Sequence, residues 1–250
     1  MNYIIYDLEF NQKYPDSTET KSDNTSSLPF EIIQIGALKL NESFETISKF
    51  NALIKPTVYP KIHPYVESLT KISNSKVSLC KSFVKVYEDF LKFIDKDEIV
   101  LCVWGTSDIK ELIRNVKFYN LPSSSIPKYY IDVQRYASKH LNAPKKSRIG
   151  LKTAVDILNI QVNGEFHDAF NDAYYTGEVF KHIYNNTIKP DIYQFDFHKR
   201  AAEPKEKIDT AALIDQFEKM YNREMSPEEK SMIKLAYIMG KTRQFIIKEK

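Results

Sequence analysis

The period of the apolar residues changes at Pro56, from two before it to 3.6 after it. Before it, Tyr3–Phe10 (YIIYDLEF), Glu31–Leu40 (EIIQIGALKL) and Ile47–Ile54 are rich in β-branched and aromatic side chains and read as strands. The short polar turn Asn41–Glu45 joins the last two, which favours an antiparallel hairpin. Beyond Pro56, Phe83, Val86, Tyr87, Phe90 and Ile94 fall on one helical face. The apolar run Ile99–Trp104 (IVLCVW) reads as a strand buried on both sides, and Ile109, Leu112, Ile113 and Val116 mark the helix after it. Tyr129–Val133 reads as a fifth strand, followed by helices over Val133–Leu141, Leu151–Leu158 and Ala169–Tyr184. A chain in that order is expected to be α/β, a mixed five-stranded sheet flanked by helices.

This core is expected to end near Pro190, giving one domain over 1–190 and a helical C-terminal extension over 191–250. Within the extension, Asp191–Lys207 reads as a connector of mixed aromatic and charged residues. The first helix spans Thr210–Tyr221 with Asp209 as its N-cap. The second opens on Ser226 as N-cap, Pro227 at N1 and Glu229 at N3, a capping box. Its apolar stripe of Met232, Leu235 and Met239, with charges near balance, favours contact with a protein partner or a second copy over a nucleic-acid clamp. The long polar stretch Asn11–Pro29 reads as a functional or disordered loop.

Composition narrows the setting. Sixteen Tyr and fifteen Phe supply ample core, while a net charge of +3 neither announces nucleic acid by itself nor holds a chain on a membrane. There is no apolar run of eighteen residues, and MNYIIYDLEF has no basic region leading into an apolar segment. The expected location is cytoplasmic or nuclear, with the cytoplasm preferred. Cys80 and Cys102 both lie in apolar periodic stretches and are expected to be buried free thiols.

The first strand breaks its own pattern. Tyr3, Ile5, Asp7 and Glu9 share one face, apolar at the start and acidic at the end. Two carboxylates about 7 Å apart with no basic neighbour in the strand repel, and a hard divalent cation between them would relieve that. A frayed strand end with two solvated acids is the alternative. Asp108 follows the central strand on Gly105-Thr106-Ser107, where ligand sites of open sheets lie, and it equally suits a helix N-terminus. His167-Asp168-Ala169-Phe170-Asn171-Asp172 opens the long helix. Asp168 and Asp172 share a helical face, whereas His167 stands about 140° from Asp172 and approaches it only from the helix mouth. Asp168 can also be a plain N-cap and His167 a loop residue.

In that order along the chain, these residues resemble the DEDD superfamily of 3′→5′ exonucleases, in its histidine subclass. The first motif is Asp7-Leu8-Glu9-Phe10, the second rests on Asp108, and the third is His167 with Asp172. Flanking segments are similar to the branch of histone-mRNA and small-RNA trimming exonucleases and its bacterial sporulation-associated relatives. They are Pro29-Phe30-Glu31-Ile32-Ile33-Gln34-Ile35-Gly36-Ala37, His63-Pro64 with Leu69-Thr70 and Ile72, Trp104-Gly105 before Asp108, and Gly150-Leu151-Lys152. The likeness covers roughly Tyr3 to Tyr184. It departs from the family at Asn11, where many relatives carry Thr, and in the longer polar insertion Gln12–Leu28.

The resemblance implies a ribonuclease-H-like fold and hydrolysis of the 3′-terminal phosphodiester of single-stranded nucleic acid, RNA rather than DNA. It also implies two divalent cations, Mg²⁺ or Mn²⁺, held by Asp7, Glu9 and Asp172 with Asp108 in support. His167 would be the general base. For substrate contacts, the expectation is Leu8 and Phe10 through their backbone, Asn11 at the terminal sugar, Phe166 against a base and the cluster Lys145-Lys146-Ser147-Arg148 along the strand. Two other readings stand beside this one. One is an inactive binding module on the same fold; the other is a glycosidase with paired carboxylates, which leaves the histidine and the other acids unexplained.

Overall fold

A computed structural model of the protein describes residues 1–14, 28–94, 98–144, 147–194 and 209–241. Most of the polar stretch 11–29, the pair Lys145-Lys146 and most of the 191–207 connector therefore lie outside the described residues. The chain divides into two compact units, Met1–Phe195 and Asp196–Lys250.

The first unit is built on a mixed sheet of β1 (Asn2–Asn11), β2 (Glu31–Leu40), β3 (Thr46–Leu53), β4 (Ile99–Val103), β5 (Tyr129–Asp132) and β6 (Asp191–Ile192). Their spatial order is β3-β2-β1-β4-β5-β6. The hairpin partners β1, β2 and β3 run antiparallel, while β1, β4 and β5 run parallel. β6 corrects the expected strand number from five to six. It pairs antiparallel with β5 through Tyr129 and Tyr130, and at two residues it is too short to leave a period in the sequence. The sheet thus reaches past residue 190.

Seven helices of the described residues cover this sheet: α1 (Pro64–Thr70), α2 (Asn74–Val77), α3 (Phe83–Ile94), α4 (Ser107–Phe118), α5 (Val133–His140), α6 (Leu151–Ile157) and α7 (Ala169–Ile183). The alternation of β1 feeds two cores. Ile4, Tyr6 and Leu8 enter one with residues of α3 and α4, such as Phe90 and Ile113. Tyr3 and Ile5 enter the other with residues of α5, α6 and α7, such as Ala137, Val155 and Phe180. Each fully buried large apolar side chain is worth about 1.5–3 kcal/mol. A third, smaller cluster of Ile33, Ile62, Val66, Ile72 and Val77 seats α1 and α2 against β2.

Because β1 and β4 are parallel neighbours, the acidic end of β1 and the exit of β4 lie at the same edge of the sheet. The N-terminus of α7 reaches β2 through Gly36. A Cβ built there would stand 2.2 Å from both the Ala169 carbonyl carbon and the Phe170 nitrogen, so only glycine allows that approach.

In the second unit, α8 (Thr210–Tyr221) and α9 (Pro227–Lys241) carry the predicted caps. Asp209 Oδ1 accepts from the Ala212 N–H at 2.9 Å. Ser226 Oγ accepts from Glu229 N–H, and Glu229 Oε2 accepts in return from Ser226 N–H. Cys80 and Cys102 are both free thiols, but only Cys102 is buried; Cys80 is half-buried, its Sγ 3.2 Å from the Lys76 carbonyl. No described helix is long and apolar enough to cross a membrane.

Candidate active site

Three segments supply the site. Asp7 and Glu9 come from the last part of β1, on the face it shares with Tyr3 and Ile5. Asp108 sits in the first turn of α4, reached from β4 through Gly105 at φ +85°. It is 7 % exposed, so the helix terminus is buried rather than solvated. The third segment is the mouth of α7. Asp168 is the N-cap, its Oδ1 accepting from Phe170 N–H and Asn171 N–H at 3.1 Å. His167 precedes it at φ +65°. That left-handed turn carries the imidazole outside the helix, while the His167 N–H donates to Asp172 Oδ2 at 3.1 Å.

Glu9, His167 and Asp172 each offer one ligand atom, and these atoms lie within 4.8 Å of one another. Asp7 and Asp108 belong to the same electrostatic cluster. Burial raises the Asp7 carboxyl well above the usual carboxylate range, and the charges of Asp108, Asp172 and Glu9 raise it further. Burial, then Asp172 and Asp108, pushes Glu9 up to about 8. Asp108 is pushed up to about 7 by burial and Asp172, against the pull of a backbone hydrogen bond. Asp172 reaches about 6, raised by burial and partly restrained by the His167 N–H. The buried Asp172 Oδ1 has no hydrogen-bond partner among the described residues. Four carboxylates pressed together with few donors form a site shaped for a cation, and an all-oxygen set with one imidazole fits a hard divalent ion.

Two residues without an expected catalytic part hold the cluster in place. Gln34 stands opposite Glu9 in the β1–β2 register. Its Nε2 donates to Asp168 Oδ2 at 2.9 Å and to Asn51 Oδ1 at 3.1 Å, while its Oε1 accepts from Ala169 N–H. It therefore ties the α7 N-terminus to β2 and β3. These partners lie 17 and 134 residues along the chain, so no local pattern in the sequence pointed to them.

Asn11 is the second, and it corrects an expectation. Its side chain is fully buried, Nδ2 donating to the Tyr59 and Lys61 carbonyls and Oδ1 accepting from His63 N–H. With its amide spent on the 59–63 loop, it has nothing to offer a sugar. The side chains of the other expected contacts have partners within the fold. This leaves the contacts expected of the Leu8 and Phe10 backbone as they were and keeps the Arg148 side chain half exposed. Leu8 is 3 % exposed in the core, and Phe10 packs on that core with its ring 6.2 Å from Phe30. Phe166 lies against Tyr175 at 4.8 Å between centroids. Arg148 is engaged by Asp132 at 2.6 Å.

Residues 4–180 match the sequence model of the RNase T family, described as exonucleases. The chain is 25% identical over 183 residues to a probable 3′-5′ exonuclease KapD of Bacillus subtilis (strain 168), covering 71% of this chain and 82% of that one. In fold it is similar to the nuclease domain of 3′hExo, a DEDDh family member solved with rAMP bound, at a TM-score of 0.63 and 18% identity. That likeness covers 77% of this chain and 96% of the other. It is also similar to Pop2p of S. pombe, solved with Mg²⁺ and Mn²⁺ bound, at a TM-score of 0.55 and 18% identity over 72% of this chain and 82% of that one.

Proposed function

The chain belongs to the RNase T exonuclease family, as a DEDD-type 3′→5′ exonuclease, and from that premise we propose that it removes nucleotides from the 3′ end of single-stranded RNA, in preference to DNA, with two divalent cations. The observation that carries the reading is the mutual approach of Glu9, His167 and Asp172, with Asp7 and Asp108 in the same field.

Asp7, Glu9 and Asp172 are the residues that would hold the ions, with Asp108 supporting them. When bound, Mg²⁺ or Mn²⁺ would lower the pKa of a water and neutralise charge on the scissile phosphate. His167 takes the proton from the attacking water at its free imidazole nitrogen. Asp172 serves twice: Oδ2 fixes the His167 backbone, and Oδ1 is left for a ligand. The chemistry belongs to the first unit, and the helices α8 and α9 of the second unit are proposed to contact a protein partner or a second copy. The preference for RNA is supported by the rAMP-bound fold neighbour, and a cytoplasmic location by the two free thiols.

Matched RNA and DNA single strands, labelled at the 5′ end and sized after incubation with Mg²⁺, Mn²⁺ or EDTA, test the proposal. The expected result is stepwise shortening of RNA faster than DNA with either cation, and none in EDTA. Shortening that persists in EDTA would overturn the metal reading. Equal rates on the two strands would overturn the preference.

A further inference from the structure

Arg148 is ion-paired with Asp132, while another segment carries charge to spare. From Lys55 to Lys76 the chain holds Lys55, Lys61, Lys71 and Lys76 against the single acid Glu67, a surplus equal to that of the entire protein. All four lysines are exposed, and none is ion-paired with a carboxylate of the described residues. Lys61 lies 5.8 Å from the Tyr14 ring centre, and Lys71 and Lys76 reach only backbone carbonyls.

Both ends of this segment are fastened beside the carboxylate cluster. At one end, Asn11, two residues past Glu9, grips the backbone of Tyr59, Lys61 and His63. Glu31 grips the N–H groups of Thr57, Val58 and Tyr59 just before them. At the other end, Lys76 lines a groove of about 390 Å³ with Gln34, Asn51, Thr70 and Asp168, the residue next to His167. Between the two ends, Ile62, Val66, Ile72 and Val77 seat the segment on Ile33 of β2. The lysines are therefore carried on a fixed wall. Tyr65, 63 % exposed, stands among them at the start of α1.

We propose that residues 55–76 form the cationic wall along which the phosphodiester backbone of a single-stranded nucleic acid runs to the carboxylate cluster, with Tyr65 as a stacking platform. The proposal rests on the nuclease reading and adds the path of the strand. Cations interleaved with an exposed aromatic ring match a strand whose bases are free to stack, because phosphates take the charges and a base takes the ring. A protein partner of acidic surface would need the charges and not the ring.

The test is equilibrium binding of a fluorescent single-stranded RNA in EDTA, where no turnover occurs, measured over a series of KCl concentrations. A Lys61→Gln/Lys71→Gln/Lys76→Gln variant is expected to bind more weakly and to lower the slope of log K against log salt by about 2, at about 0.7 for each phosphate no longer neutralised. Tyr65→Ala is expected to weaken binding about tenfold with the slope unchanged, as an uncharged stacking interaction requires. An Arg148→Gln/Lys152→Gln variant is the comparison. If that pair lowers the slope and the three lysines do not, the wall is overturned. If Tyr65→Ala binds as the unaltered chain does, the platform is overturned. Thermal melts of each variant separate weakened binding from unfolding. Absence of cation-dependent cleavage by the unaltered chain, with the slope lowered as expected, would remove the nuclease reading and leave the wall standing.

Discussion

Two sets of buried acids sit on the same sheet and are treated in opposite ways. Glu31, at the start of β2, is 1 % exposed, and its carboxylate accepts from Thr57 N–H at 2.6 Å, Val58 N–H at 3.0 Å, Tyr59 N–H at 2.7 Å and the Tyr119 hydroxyl at 3.1 Å. Its charge is met by fixed donors. At the end of β1 the neighbouring acids have mainly each other, and Glu9, Asp108 and Asp172 are pushed to about 8, 7 and 6. Buried charge without donors costs stability. An arrangement that surrounds one acid with donors and leaves four others at the same sheet edge with few separates a carboxylate that holds the fold from carboxylates held for something else. Removing a charge should therefore have opposite effects on stability in the two places.

The largest expected effect is on activity. Losing a partner that merely orients a metal ligand costs about 10–100-fold, so Asp172→Asn or Asp7→Ala should lower cleavage of labelled RNA by more than that. In metal-free buffer the same variants should melt at a higher temperature than the unaltered chain, because one repelling charge is gone. Activity near the original level in either variant would break the functional half of the comparison. A lower melting temperature in metal-free buffer would break the electrostatic half. His167→Ala should fold and bind RNA in EDTA but turn over far more slowly, and full activity there would remove the histidine from the reaction.

Next in size is the opposite change. Glu31→Ala strands three buried N–H groups and should destabilise the first unit by about 3 kcal/mol or more, read from urea denaturation. Glu31→Gln keeps one acceptor oxygen and should recover part of that loss. A neutral result for Glu31→Ala would mean that water replaces the carboxylate in the loop, and the contrast with Asp7 would vanish.

The two sets also differ in how far they could be read from the sequence. Asp7 and Glu9 declare themselves because a strand has period two and theirs breaks from apolar to acidic within four residues. Ser226-Pro227-Glu229 declares a helix start for the same local reason: its hydrogen bonds close within three residues. Asn11 misleads because its partners lie 48 to 52 residues away, and a polar side chain beside a motif looks the same whether it faces ligand or loop. The Arg148–Asp132 pair was not legible for a like reason, Asp132 standing 16 residues earlier at the cap of α5. Glu31 was visible within a family-like segment, but its donors come from a loop with no period of its own. What is local in the chain was legible; what depends on a distant loop was not.

The smallest effect is the one that titrates. Glu9 at about 8 stands against an ordinary 4.5, and Asp108 at about 7 and Asp172 at about 6 stand against 3.8. Each is raised by folding, so between these limits the folded chain holds more protons than the unfolded one, and stability falls as pH rises. The contribution is fully present below about pH 4 and is lost as pH climbs through 6 to 8 and the folded groups ionise. In EDTA the melting temperature should therefore drop from pH 5 to pH 8, by roughly 5 °C or more. Saturating Mg²⁺ or Mn²⁺ should flatten that slope, since a bound cation favours the ionised carboxylates and stabilises whatever state binds it. A Glu9→Gln/Asp172→Asn variant should make it shallower without metal, because two of the titrating groups are gone while Asp7 and Asp108 remain. Glu31→Gln should leave the slope in place while lowering the whole curve. If the unaltered chain in EDTA grew more stable over that range, the carboxylates at the end of β1 would have donors of their own, and the two sets of acids would be of one kind.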